Sequence, residues 1–366
     1  MQTSLDDIQV SDDKVLLELM FSDMEQCEDS FKPTHFWQFY QNKFLPELKA
    51  KGLKDFRRRR NTVLSSFGAV DFFIQPLFSK LEVLGKWEIA NKLLNLFFPN
   101  YQTVNSPFRN IVAEHHYWKV KDKFMQLNIN IRNCPTSRFG NPEGVVEIEG
   151  KYWTATHLVY CSLFADAARY LTIRPNSVVC ELGTGMGRNI EVLASLFEDA
   201  TFLVFDIPPQ LYVANQYLGK VFGDRVIGYR DANSLDPRNE DCVNFVKGKI
   251  IIQPSWRMPI WASTKIDVFW NSASFQEMEP DIVCNYLALV KYMRPEYIYI
   301  NAMPGGNYHP GEARKGGLGT IEPVLENYYF ESLQDSYVLH ATYITDHMDS
   351  LTDHRSNIFK QKEQIV

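Results

Sequence analysis

No stretch of the 366 residues approaches the roughly 18 consecutive apolar residues of a membrane-spanning helix. The chain start, Met1 to Asp7, has no basic region leading into an apolar core, so no secretory leader is expected from this stretch. The six cysteines, Cys27, Cys134, Cys161, Cys180, Cys242 and Cys284, contain no C-x-x-C pair, and several sit in apolar contexts where a free thiol packs as a small hydrophobe. A reducing, cytoplasmic setting is expected. Basic charge is also short: 38 Lys and Arg stand against 44 Asp and Glu, a formal net charge of −6. That balance excludes a general affinity for nucleic acid, which rests on basic surface neutralising phosphates. The one basic run, Arg57 to Arg60, lies among helix-like sequence and reads as a solvated helix face. Internal repeats and low-complexity tracts are missing as well.

What is present is an ordinary globular composition, 45% hydrophobic and 22% charged, long enough for an α/β domain and something more. Residues 1–135 form the first expected unit. Apolar and charged residues alternate there at spacings of three and four (Phe36, Phe39, Tyr40, Phe44, Leu45), which predicts a mostly helical region rich in aromatics, among them Trp37, Phe67, Phe72, Phe73, Trp87, Phe97 and Phe98. Such a stripe is core, a domain interface or a cover over an acceptor site, and it could also pair two subunits. Residues 136–366 form the second unit, with its core at about 150–345. It opens on a connecting segment punctuated by Pro135, Gly140, Asn141-Pro142, Gly144 and Gly150, with a hairpin-like piece at Val145 to Ile148.

A regular alternation follows. Thr154 to Tyr170 predicts a helix, Val178 to Glu181 a buried strand, and Thr201 to Asp206 a second strand with a helix from Pro208 to Gly219. Arg225 to Arg230 is read as the third strand, Ile266 to Asn271 as the fourth, followed by a helix over Asp281 to Tyr292. Tyr297 to Asn301 is the fifth, and Ser336 to Tyr343 a last strand. Strands alternating with helices predict an α/β fold with a parallel sheet wound by right-handed crossovers. Gly305 to Gly319 is too rich in glycine for either element and predicts a lid-like loop.

The stretch around which this half is organised is Glu181-Leu-Gly-Thr-Gly-Met-Gly187. Gly183, Gly185 and Gly187 supply a turn where backbone can lie against a ligand, between a strand and a helix beginning near Asn189. A dinucleotide fingerprint would place glycine or alanine where Arg188 stands, so a pyrophosphate is disfavoured. Glu181, two residues before the turn, suits a ligand with a cationic amino group. The pattern resembles the first motif of class I S-adenosylmethionine (SAM) methyltransferases, which implies a Rossmann-like sheet and SAM as cofactor. Asp206 closes the second strand at a spacing close to that at which such folds set the acid that meets the ribose hydroxyls. Methyltransferases commonly place an acid and a neighbouring amide after the third strand against the adenine edge, and Asp231-Ala232 matches that position.

Asn271 to Met278 runs Asn-Ser-Ala-Ser-Phe-Gln-Glu-Met straight after an apolar strand. Packing does not account for so polar a run, because buried polar groups need partners. Here the resemblance narrows. Glu181 to Gly187, Phe205-Asp-Ile-Pro-Pro209, Ser272 to Met278, Tyr297 to Asn301 and the upstream Phe139-Gly-Asn-Pro142 resemble a family of bacterial sugar O-methyltransferases over roughly residues 135 to 310. The resemblance implies methyl transfer from SAM to a hydroxyl of a sugar or glycoside, with an amino group of an aminosugar or aminocyclitol as the alternative acceptor. A third reading is a SAM-binding partner subunit without catalysis.

On this reading Glu181, Gly183, Gly185, Gly187, Asp206, Ile207, Asp231, Ala232 and Asn271 hold the cofactor. Ser272, Ser274, Gln276 and Asn301 are expected to face the acceptor. A sugar hydroxyl is a poor nucleophile until a base takes its proton, and the candidate bases are Glu277, His309 and His157. A metal is not expected: Asp346-His347, Asp353-His354 and His340 recur near the end of the chain, but in a segment that reads as solvated.

Overall fold

The computed structural model describes residues 8–58, 64, 107–306, 325–345 and 354–363. The elements, in chain order, are helix α1 (Lys14–Glu25), α2 (His35–Lys51) and α3 (Pro107–Gln126), then strands β1 (Val146–Ile148) and β2 (Lys151–Trp153) and helix α4 (Ala155–Ala167). There follow β3 (Val178–Leu182), α5 (Arg188–Leu196), β4 (Thr201–Asp206), α6 (Gln210–Phe222), β5 (Val226–Ile227), α7 (Tyr229–Ala232), α8 (Glu240–Phe245), β6 (Ile250–Pro254) and α9 (Met258–Trp261). The chain continues with β7 (Val268–Ser272), α10 (Pro280–Met293), β8 (Tyr297–Ala302), α11 (Leu325–Leu333), β9 (Tyr337–Ile344) and β10 (Arg355–Gln361).

Eight strands form one sheet in the order β5-β6-β4-β3-β7-β8-β10-β9. All neighbours from β5 to β8 are parallel, whereas β10 runs antiparallel to both β8 and β9. The parallel strands carry near-continuous apolar runs, and every residue of β4, β6 and β8 is buried, as a sheet covered on both faces demands. The chain leaves β3 in one direction toward β4 and later crosses to the other side as β7. The crevice where the winding reverses therefore opens at the carboxyl ends of β3, β4 and β7. This is a Rossmann-like α/β sheet: six parallel strands, extended at one edge by the antiparallel β10 and by β9.

Two expectations about the sheet need correction. The stretch Arg225 to Arg230 is not the third strand. Only Val226 and Ile227 pair, at the sheet edge, and the backbone turns helical at Tyr229. The strand beside β4 is β6, whose Ile250-Ile-Ile252 run lies wholly buried and is of the β-branched type that suits a covered parallel strand. The sheet also gains β10, inserted between β8 and β9. Tyr299, Asn301, Thr345 and Ser356 hydrogen-bond across that insertion.

The glycine loop is fixed by close approach. A Cβ on Gly187 (φ 95°) would lie 2.8 Å from the Leu218 side chain of α6, and one on Gly183 (φ 80°) would lie 2.1 Å from Ser274 Oγ. Neither site takes another residue without strain. Gly187 thus serves helix packing, and Gly183 lets the loop after β7 fold against the loop after β3.

The described helices of the first 135 residues lie against the rest of the chain. Asp12 accepts a hydrogen bond from Tyr212 at 2.7 Å, and the Arg230 guanidinium pairs with Asp13 at 2.6 Å. Arg57, read from sequence as part of a solvated face, is instead fully buried. Its guanidinium donates to the carbonyls of Ser137 and Phe139, to Thr136 Oγ1 and to the Tyr217 hydroxyl, and Tyr217 in turn donates to Glu191 at 2.8 Å. A guanidinium has five donors in a fixed fork, so one arginine can tie the connecting segment to α5 and α6. Burial would raise the Glu191 carboxyl, yet the His157 ring and the Arg57 and Arg188 guanidiniums hold it down at about 2. Arg58 is exposed, and Arg59 and Arg60 lie outside the described residues, as do Phe67, Phe72, Phe73, Trp87, Phe97 and Phe98.

The connecting segment forms the expected hairpin, β1 against β2, closed by Glu149 and Gly150 at positive φ. No described helix is long and apolar enough to cross a membrane. All six cysteines are free thiols.

Candidate active site

Two adjoining cavities occupy the crevice. The larger, about 150 Å³, is lined by Gly183, Thr184 and Gly185 of the glycine loop, Asn189, Asp206, Gln210, Ser272 to Ser274 and Glu277, with Trp37 of α2 and Tyr160 of α4 closing it. The smaller, about 30 Å³, shares Trp37, Gly183, Asp206 and Ser274 with the first, and its other walls are largely apolar: Leu182, Ile207, Met278, Ile282 and Tyr286, with Ser255 and residues 32–34 at its edge. Asp206 stands between a polar chamber and an apolar slot. A wider groove of about 770 Å³, around Arg238, Lys265 and Arg294, lies at the amino ends of β7 and β8, the opposite end of these strands from the glycine loop.

Asp206 terminates β4 and is 7% exposed. Its Oδ2 accepts the Gly185 amide and its Oδ1 accepts the Ile207 amide, both at 2.7 Å. Burial pushes its carboxyl up to about 7 against the pull of those two amides, and Glu181 adds to the rise. Glu277 ends the turn Phe275–Glu277 and keeps part of its surface open to the chamber. So much protein surrounds it that its carboxyl is pushed well above the ordinary range, and the nearby Asp206 adds to this, while the Trp37 side chain opposes it. The chamber lining includes no lysine or arginine among the described residues. Buried carboxylates without a counter-cation are costly unless they stay protonated or meet a cationic ligand. Gln210 Oε1, on the chamber wall, is buried with no partner among the described residues, an acceptor waiting for a donor.

Of the residues picked from sequence, the structure brings Gly183, Gly185, Asp206, Ile207, Ser272, Ser274 and Glu277 to these cavities. Others are placed elsewhere. Glu181 is fully buried behind the loop, its carboxylate taken up by Thr184 Oγ1 at 2.7 Å and Asn189 Nδ2 at 2.8 Å, and burial lifts it to about 7. Direct contact with a ligand is corrected to an indirect role, because Thr184 and Asn189 form the wall in its place. Asn271 donates to the Leu182 carbonyl and accepts from the Phe275 amide, so it stitches β7 to β3 and to the next turn. Gln276 accepts the Met303 amide, and Asn301 donates to Thr345 and Ser356; both are spent on the fold.

Asp231 is exposed on α7, and the Ala232 carbonyl accepts from Gln253; neither lines either of these two cavities, and the strand meant to carry them is only a two-residue edge. His157 is fully buried, with Nε2 bonded to the Cys134 carbonyl at 2.9 Å and Nδ1 3.6 Å from Glu191, away from the chamber lining. His309 and most of the glycine-rich loop from Gly305 to Gly319 lie outside the described residues, as do Asp346, His347 and Asp353. Among the described residues no cluster of three or more His, Cys, Asp or Glu is arranged to hold a metal.

Sequence reasoning missed Tyr160, Thr184 and Gln210 as wall residues and did not single out Trp37 from its stripe. Helical spacing marked Trp37 as one aromatic among many. Only the docking of α2 distinguishes it: Gln41 Nε2 donates to the Pro208 carbonyl, and Phe36, Trp37 and Phe44 cluster against Ile207.

No protein-family model matches the chain, and no curated protein sequence matches it. Solved structures resemble it at low identity. Aeropyrum pernix fibrillarin in complex with natively bound S-adenosyl-L-methionine is 13% identical with a TM-score of 0.39, over 63% of this chain and 87% of that one. A SAM-dependent methyltransferase from Aquifex aeolicus is 14% identical with a TM-score of 0.35, over 53% of this chain and 87% of that one. The magnesium protoporphyrin IX methyltransferase of Synechocystis PCC 6803 with bound SAM is 14% identical with a TM-score of 0.33, over 56% of this chain and 76% of that one.

Proposed function

We propose that the chain is a SAM-dependent methyltransferase that methylates a hydroxyl of a sugar or glycoside. The observation that carries the cofactor assignment is the crevice itself, in which Asp206 separates an apolar slot from a chamber walled by acids, amides and glycine backbone. SAM has matching parts in matching order: an adenine ring, a ribose diol, and a sulfonium with an ammonium group. Asp206 would accept from the ribose hydroxyls, the slot of Ile207, Met278, Ile282 and Tyr286 would take the ring, and Gln210 Oε1 would accept from the ammonium group. Glu181 acts through Thr184 and Asn189. When bound, SAM supplies an electrophilic methyl group.

The residues of the chain do the rest. Glu277 has the position and chemistry of a general base: a carboxyl at the chamber wall whose hold on a proton is strengthened by burial and by the nearby Asp206, and whose ionised form a cationic ligand would favour. Ser272 and Ser274 hydroxyls can orient an acceptor, while the faces of Trp37 and Tyr160 cover it and exclude water. Hydroxyl groups beside aromatic faces suit a polyhydroxylated ring. The acid-only lining supports the second reading, an aminosugar or aminocyclitol nitrogen. The cavities are smaller than the about 300 Å³ at the low end for drug-sized ligands, so a ligand the size of SAM enters only as the α2 cover shifts.

Calorimetry with SAM and with S-adenosylhomocysteine tests the cofactor: wild type should bind both, and no detectable binding of either would remove the assignment. Mass spectrometry of paired glycosides and aminoglycosides incubated with methyl-labelled SAM then separates the two acceptors.

A further inference from the structure

We propose that the groove at the amino ends of β7 and β8 is a second binding site, one that takes a nucleoside diphosphate. It lies at the far end of these strands from the glycine loop, so the proposal goes beyond the reading of the crevice and stands independently of it. At about 770 Å³ the groove falls within the range of about 300–1,000 Å³ typical of small-molecule sites, which neither crevice cavity reaches. Three cations border it and no carboxylate lines it, in a chain whose net charge is −6. Arg238 forks onto Asp236 through Nε and Nη2, at 2.8 and 2.7 Å, and keeps Nη1. Lys265 and Arg294 are exposed, and no carboxylate among the described residues pairs with either.

Arg294 occupies a position where glycine is the relaxed choice: it caps α10 in the left-handed region, at φ 49° and ψ 52°. Backbone strain of this kind persists where the side chain is needed. The Lys291 carbonyl accepts the Arg294 amide at 3.2 Å, and the Met293 carbonyl accepts the Ile266 amide at 3.1 Å. Two of the carbonyls at the negative end of the helix are thus already spent. A guanidinium and an ammonium offer phosphate oxygens a forked and a point-charge partner. Beside them the Tyr292 ring, 75% exposed, stands next to Ile260 and Met293. An aromatic face at the rim of a cationic groove suits a base, because every base can stack on it. An acidic peptide would use the charge but not the apolar wall, and a lone phosphate would leave most of the volume empty. The crevice chamber, walled by acids and without lysine or arginine among the described residues, disfavours such a ligand.

Calorimetry of the full chain with ADP and UDP at low salt tests the site. Both should bind one to one with a Kd of about 1 mM or tighter, and adenosine and uridine at least about 10-fold more weakly. Lys265→Glu should weaken both nucleotides by about 10- to 100-fold. Lys119→Glu, the same change of charge on the exposed side of α3, should leave them unchanged. Arg294→Gly separates binding from folding: it relieves the left-handed strain, so the melting temperature should hold or rise while nucleotide affinity falls. Tyr292→Ala should weaken the nucleotides but not pyrophosphate. The proposal is overturned by no binding of either nucleotide at millimolar concentration, by full affinity in both Lys265→Glu and Arg294→Gly, or by tighter binding of a polyglutamate peptide.

Discussion

Asp206 closes the glycine loop across the crevice: its Oδ2 accepts the Gly185 amide at 2.7 Å, so the acid at the end of one strand sets the backbone after its neighbour. The same carboxylate faces both cavities, so the proposed SAM site should depend on it. Asp206→Asn removes the charge while keeping the shape. Hydrogen bonds to charged groups are worth about 1.5–3 kcal/mol, so SAM affinity should fall by about 10- to 100-fold, read by calorimetry. Wild-type affinity in the variant would place the ribose elsewhere.

Proton linkage gives a second prediction. Asp206 and Glu181 both stand at about 7 in the folded protein, above their values in the unfolded chain. The folded state therefore binds more protons, and ligand-free stability should decline as pH rises from the ordinary carboxylate range to about 7. A ligand carrying positive charge favours the ionised forms. SAM affinity should accordingly rise with pH up to about 7 and then level off, with protons released on binding. Calorimetry in buffers of different ionisation enthalpy measures that release, and uptake of protons would contradict the arrangement.

Gly183 has no room for a side chain. Gly183→Ala would set a Cβ 2.1 Å from Ser274 Oγ at a φ of 80°, and should lower the melting temperature by several degrees and weaken SAM binding. Adding Ser274→Gly relieves the contact but not the backbone strain, so the double variant should recover only in part.

Glu277→Gln should leave SAM affinity within a few-fold and cut turnover on an accepted glycoside by about 10²- to 10⁴-fold, the range for loss of a general base. A parallel loss of cofactor binding would move Glu277 to the cofactor pocket.

The buried Arg57 and Glu191 predict a stability effect far from the chamber. Arg57→Leu leaves the Glu191 carboxylate short of positive charge and should cost about 3–5 kcal/mol in denaturant unfolding. Glu191→Gln added to it should recover part of that loss. Because Glu191 is held down at about 2, its contribution is present at neutral pH and is lost as pH falls from the ordinary carboxylate range toward 2. Glu191→Gln should flatten that acid limb.

The centre of this protein is legible in local patterns of the chain. Three glycines between a buried strand and a helix allow little else, and Asp206 at the end of the next apolar run could be placed from spacing, because both signals are local. Serines and a glutamate after an apolar strand were legible for the same reason, and Ser272, Ser274 and Glu277 do reach the cavity. How each polar group is spent depends instead on partners brought together by long-range packing. Asn271, Gln276 and Asn301 have the same composition signal as their neighbours, but backbone and side-chain partners distant in sequence claim them. Glu181 is turned from contact to support by Thr184 and Asn189. Arg57 and Trp37 look like surface charge and core aromatic on their own helices. What they meet, Tyr217 in one case and the cavity that Glu277 also lines in the other, follows from how the helical region docks, and no local pattern encodes that.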